Sequence, residues 1–220
     1  MADLRLPAFI PYAVVGALHL VTLFIGWDAG STATKLAIMP ALLLGFLLAL
    51  PRRRGNIVVL GTIGILLSLA GDALLESPGD LGFLFGLASF LLAHLAYLVL
   101  FLGPLRERRI SWLAAVYALW WVVLLVLLVP HVGVLVVPVA AYGLVLAASA
   151  TAALGTNRLA MVGALVFLCS DTILAFHLFY PDFGFWQVDF TIMSLYIAGQ
   201  GLIILGAVSR ASRRLAQPSL

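Results

Sequence analysis

The stretch LGFLFGLASFLLAHLAYLVLFL, residues 81–102, decides the fold: 22 consecutive residues carry no charged side chain. As a helix, a run of that length covers about 30 Å, the thickness of a bilayer's hydrocarbon core. Lipid offers the backbone no hydrogen-bond partner, so a spanning segment is either a helix or part of a closed barrel. A barrel needs ~10-residue strands of alternating polarity, and this run does not alternate.

Seven further apolar runs flank it: Phe9–Ile25, Leu36–Leu50, Ile57–Leu75, Trp112–Val129, Val132–Leu154, Leu159–Phe179 and Phe190–Val208. Turn-forming and charged clusters separate most of them, at Pro51–Gly55, Ser77–Asp80, Gly103–Arg109 and Gly155–Arg158. The fifth and sixth runs meet only at Pro130 and His131. Of the 220 residues, 64% are hydrophobic and 10% charged, against about 25% charged in a soluble domain. A water-soluble globule, a disordered chain and a disulfide scaffold are excluded. The single cysteine, Cys169, lies inside an apolar run. The expected architecture is an all-α integral membrane protein: one transmembrane domain over residues 1–220, a bundle of about eight transmembrane helices.

Eight spans put both termini on one side. Arg5, Arg52, Arg53, Arg54, Arg106, Arg108, Arg109, Arg158, Arg210, Arg213 and Arg214 then share that side. They are eleven of the twelve cations. The opposite side holds Lys35 with Asp28, Glu76, Asp80, Asp182 and Asp189. The positive-inside rule places both termini in the cytoplasm, and a bacterial inner (cell) membrane is the expected location. The basic residues therefore read as orientation signals, and no nucleic-acid partner is expected.

Charged groups within spans are costly, at least ~2.5 kcal/mol near the bilayer centre, and mark function by default. Two carboxylates qualify. Asp72 lies about one turn from the outer end of its span, and Asp171 two to three turns from the outer end of its own. An Asp near a helix end can also simply cap or snorkel. His94 and Tyr97, three residues apart, share a helix face; a lone buried histidine is often only a hydrogen-bonded core residue. Tyr196 and Gln200 are four apart on the last run, Tyr142 is mid-span in the sixth, and Ser170 adjoins Asp171. His19 and His131 have nothing near them in sequence to recommend them. Lys35 is either a snorkelling interfacial lysine or a point charge for an anionic head group. There is no nucleophile elbow, Walker loop, Rossmann glycine pattern or metal-ligand spacing, so no cofactor and no metal are expected.

The residues Gly71, Asp72 and Leu75, followed by Phe83, Gly86, Phe90, His94 and Tyr97, form a pattern that resembles the YhhN-like membrane family of lysoplasmalogenases. Gly163 to Asp171 followed by Tyr196 and Gln200 resembles the second half of that pattern. Lys35 with Met39 and Pro40 resembles its early element, with Leu36 where the family usually has proline. The resemblance spans essentially the whole chain. It implies a membrane hydrolase that cleaves the vinyl-ether bond of lysoplasmalogens, alkenyl-glycerophosphoethanolamine or -choline, releasing a fatty aldehyde and the glycerophospho-alcohol.

That chemistry suits the residues. Protonating the outer alkene carbon gives an oxocarbenium ion; water adds, and the hemiacetal collapses. A general acid, a charge-stabilising carboxylate and a base suffice, as in the related glycosidase problem. Asp72 and Asp171 are the expected pair, titrating as a unit, with His94 orienting or exchanging protons. Tyr97, Tyr142, Ser170, Tyr196 and Gln200 would bind substrate or water, and Lys35 the phosphodiester. The partners expected are a lysophospholipid substrate and membrane lipid. The alternative, from another class, is a small proton-coupled transporter using the same aspartates; it should show internal repeats and broken helices, and neither is evident.

Overall fold

A computed structural model describes residues 5–216. After a 3-10 turn at Leu6–Phe9 come eight α-helices: α1 Ile10–Phe24, α2 Asp28–Ala49, α3 Asn56–Leu75, α4 Asp80–Leu102, α5 Ala114–Val132, α6 Val136–Ala153, α7 Arg158–Phe179 and α8 Val188–Ala216. Among the described residues there is no strand. Among the described residues, seven stretches are long and apolar enough to cross a membrane. The longest, Ala114–Ala153, has 40 residues, which straight would reach about 60 Å, twice the hydrocarbon core. It folds back on itself: Gly133, at φ 55°, separates α5 from α6, and the Trp121 indole donates to the Ala140 carbonyl at 3.0 Å. The protein is thus a multi-pass helical membrane protein.

Three boundaries correct the reading of the sequence. The second span begins at Asp28, not Leu36. Its polar first turns are helical because they pack on α1, where His19 Nδ1 lies 3.1 Å from the Ser31 carbonyl and 3.0 Å from the Thr34 hydroxyl. The fifth helix runs through Pro130 to Val132, so the break falls at the left-handed Gly133 and not at the proline. The last helix continues to Ala216 and carries Arg210, Arg213 and Arg214 in its final turns.

Packing follows the membrane rule that small residues let backbones approach. On α3, Gly61, Gly64 and Gly71 admit the rings of Phe46, Tyr97 and Phe90; a Cβ on Gly64 would come within 2.3 Å of Tyr97. On α7 and α8, Gly163, Gly199 and Gly206 seat backbone against backbone, the Gly163 site lying 2.6 Å from the Ile203 nitrogen. Asn157 caps α7 by accepting from the Ala160 amide at 3.1 Å, and its own amide reaches the Gly206 carbonyl on α8 at 2.8 Å. Large side chains such as Leu81, Phe85, Val99, Leu119 and Val126 face outward, as a lipid-facing surface requires.

The arginine-bearing connections gather at one end. Glu107, between α4 and α5, pairs with Arg213 at 2.7 Å and Arg210 at 3.5 Å from the end of α8. Residues 1–4 and 217–220 lie outside the described residues, so the expectation for the termini rests on the start of α1 and the end of α8.

Candidate active site

α3, α6, α7 and α8 bring Asp72, Tyr142, Asp171 and Tyr196 to one interior cavity. Asp72 is 3% exposed, and Tyr196 donates to its Oδ2 at 2.8 Å. Across the cavity, the Tyr142 hydroxyl donates to Oδ2 of Asp171. Each carboxylate is therefore oriented by one phenol from another helix, and its Oδ1 has no hydrogen-bond partner among the described residues. Both carboxylates line the same cavity of about 390 Å³. Its walls are apolar, with Leu87, Phe90, Leu174 and Met193 among them, and a long hydrocarbon chain would be at home there.

Lys35 and Glu76 stand on the rim of this cavity and pair at 2.7 Å. Burial alone would raise the Glu76 pKa. The hydrogen bond and charge of Lys35, joined by the Thr32 hydroxyl at 3.0 Å, outweigh it and hold the carboxyl below the usual range. Glu76 is thus ionised at neutral pH and is the partner of the one cation on this side. Glu76 follows Asp72 by four residues, a same-face spacing that could have flagged it. His19 also lines the cavity. The sequence does not single it out, because its partners, Ser31 and Thr34, lie on the next helix and leave no local signal.

Of the remaining expected site residues, Tyr97, Gln200 and His94 lie behind the cavity wall and Ser170 on it. Tyr97 donates to Gln200 Oε1 at 2.8 Å, and the Gln200 amide donates to Ser68 at 3.0 Å; this triad ties α3, α4 and α8 together. None of the three lines the cavity. Ser170 does line it, with its hydroxyl committed to the Ile192 carbonyl at 2.8 Å. His94 is buried against Phe167, ring centroids 4.6 Å apart, with Tyr142 at 6.1 Å. Both its ring nitrogens lack a hydrogen-bond partner among the described residues.

A helical bundle with two phenol-bonded carboxylates facing one intramembrane cavity defines a polytopic membrane protein with an acidic interior site. The chain belongs to the YhhN family, whose profile matches residues 30–207. It is 37% identical over 142 residues to lysoplasmalogenase TMEM86B of Rattus norvegicus, which covers 64% of this chain and 58% of that protein. The Homo sapiens protein of the same name is 32% identical over 177 residues, 80% of this chain and 75% of that one. The Mus musculus protein is 35% identical over 142 residues, covering 64% and 60%. The chain therefore matches about three fifths of the rodent relatives' length. No solved structure matches it.

Proposed function

We propose that this protein is a lysoplasmalogenase of the bacterial inner membrane, hydrolysing the vinyl-ether bond of alkenyl-glycerophospholipids. One observation carries the reading: Asp72 and Asp171, each oriented by a tyrosine, face a single apolar-walled cavity. The names of the relatives support the substrate class.

In this account the alkenyl chain lies in the apolar part of the cavity, and the glycerophosphate lies toward Lys35. One carboxyl of the pair gives its proton to the outer alkene carbon. The electron pair of the double bond forms the new C–H bond, and the positive charge is shared with the ether oxygen. The second carboxylate stabilises that oxocarbenium and takes a proton from the attacking water. The hemiacetal then gives its hydroxyl proton to the first carboxylate and breaks its bond to the glycerol oxygen, which takes the proton the second carboxyl received from water, giving aldehyde and glycerophospho-alcohol and restoring both carboxyls. Tyr142 and Tyr196 hold the two carboxylates so that a free oxygen of each is presented to substrate. Tyr97, Gln200 and His94 act from behind the wall, as positioning residues. Lys35 offers the phosphodiester a charged donor.

The test is a product assay. Purified protein is incubated with lysoplasmalogen, its 1-acyl analogue and its 1-alkyl analogue, and products are read by mass spectrometry. Fatty aldehyde from the alkenyl lipid alone is expected. Fatty acid from the acyl analogue, or no aldehyde from any, would refute the proposal.

A further inference from the structure

A second cavity, of about 500 Å³, lies at the opposite, arginine-rich end of the molecule. It is bounded by the α2–α3 connection, the end of α4 and the end of α8. Arg52 and Arg54 enter it from the connection and Arg214 from α8, some 160 residues later in the chain; no acidic residue lines it. Three other arginines of this end are engaged. Arg210 and Arg213 pair with Glu107, and Arg108 donates to the Leu154 carbonyl. Arg52, Arg54 and Arg214 form no ion pair among the described residues. The amino terminus of α3 opens into the same cavity at Asn56 and Ile57, after a Gly55 at φ 107° that provides no side-chain cap. Helix amino termini attract anions. The rest of the lining includes apolar Leu50, Ile57 and Val58.

Orientation by positive charge explains why arginines sit at this end. It does not explain why three of them, from two distant segments, converge without a carboxylate on a concavity with an apolar floor. We propose that this cavity binds the phosphate group of an anionic phospholipid of the arginine-side leaflet, head group against the guanidiniums and α3 terminus, glycerol and upper acyl chain against Leu50, Ile57 and Val58. The site is separate from the acidic cavity and independent of what that cavity does. The apolar floor favours a lipid over a soluble anion, because inorganic phosphate gains nothing from it. Basic pockets between helices at this level are where anionic head groups bind.

The experiment compares the purified full chain with Arg52→Gln/Arg54→Gln/Arg214→Gln. A control variant, Arg53→Gln/Arg109→Gln/Arg158→Gln, removes three charges from the same end outside the cavity. Binding of phosphatidylglycerol against phosphatidylcholine is titrated by native mass spectrometry, with circular dichroism confirming that each variant is folded. Each guanidinium at a membrane surface contributes about fivefold to the affinity for an anionic lipid, so the cavity variant should bind phosphatidylglycerol roughly a hundredfold more weakly, with phosphatidylcholine unaffected. The control should bind nearly as wild type. Equal losses in both variants would show general attraction to the basic face and overturn the proposal. Should the cavity variant not fold, the single variants Arg52→Gln, Arg54→Gln and Arg214→Gln replace it: each should bind phosphatidylglycerol about fivefold more weakly, and wild-type affinity in all three would overturn the proposal too. A third arm uses inorganic phosphate alone. Displacement of the lipid by millimolar phosphate would mean a soluble-anion site and refute the lipid assignment.

Discussion

At the scale of single residues, Asp72 and Asp171 carry the account. Asparagine keeps the size and much of the hydrogen bonding but cannot give or take the proton, so Asp72→Asn and Asp171→Asn should each lower kcat by at least a hundredfold. Insertion and purification yield should be unchanged; near-normal turnover would remove that residue from the pair. Lys35 makes a different prediction. A charged hydrogen bond contributes about 1.5–3 kcal/mol, roughly ten- to a hundredfold in affinity, but Glu76 already holds Lys35 at 2.7 Å, which offsets part of the gain. Lys35→Ala should therefore raise KM by about tenfold, the lower end, with kcat nearly constant, because the phosphate is remote from the reacting carbon. A large fall in kcat at constant KM would make the lysine a partner of the catalytic carboxylates. Both aspartates were legible in the sequence because charge inside an apolar run stands out, and Lys35 because it is the one cation on its side. His19, and the separation of Tyr97 and Gln200 from the cavity, were not legible. They depend on which way each face turns when α1, α2, α4 and α8 pack, and no local pattern encodes that.

At the scale of helices, most spans were readable from their ends, where Gly, Pro and Arg punctuate apolar runs. The misreadings have separate causes. Asp28 to Lys35 look like a loop because they are small and polar, yet they are helical against α1, where His19 meets Ser31 and Thr34. Pro130 looks like a break, yet the helix absorbs it and turns at Gly133. The pairing of α7 with α8 positions Asp171 relative to Tyr196 and Asp72, and it depends on Gly163. A methyl group there would press within 2.6 Å of the Ile203 nitrogen, and backbone cannot yield as a side chain can. Gly163→Ala should destabilise the protein by roughly 1–3 kcal/mol, read as a lowered thermal midpoint in detergent, and should depress turnover. Gly184→Ala, where a Cβ meets nothing within 4 Å, is the matched substitution that should change neither. Equal midpoints for the two would show that the close approach of α7 and α8 is not structurally required.

At the scale of the whole molecule, the chain separates its chemistry along the membrane normal. The acidic cavity opens beside Lys35 and Glu76, and the arginine-rich end holds the second cavity. Eight crossings with Arg210 and Arg213 bound to Glu107 predict that this end faces the cytoplasm. Single cysteines placed at Arg53 and at Asp182, in a chain lacking Cys169, should be labelled from opposite sides by an impermeant maleimide, Asp182 from outside intact cells. Labelling of both from one side would contradict the five crossings, α3 to α7, between the two positions. The central claim is that water adds to the vinyl carbon and that the glycerol oxygen never leaves its own carbon. It is tested most directly by turnover of lysoplasmalogen in water enriched in oxygen-18, with mass analysis of both products. The account predicts fatty aldehyde together with glycerophospho-alcohol that carries no heavy oxygen; heavy oxygen in the glycerophospho-alcohol would mean cleavage on the glycerol side and would contradict it.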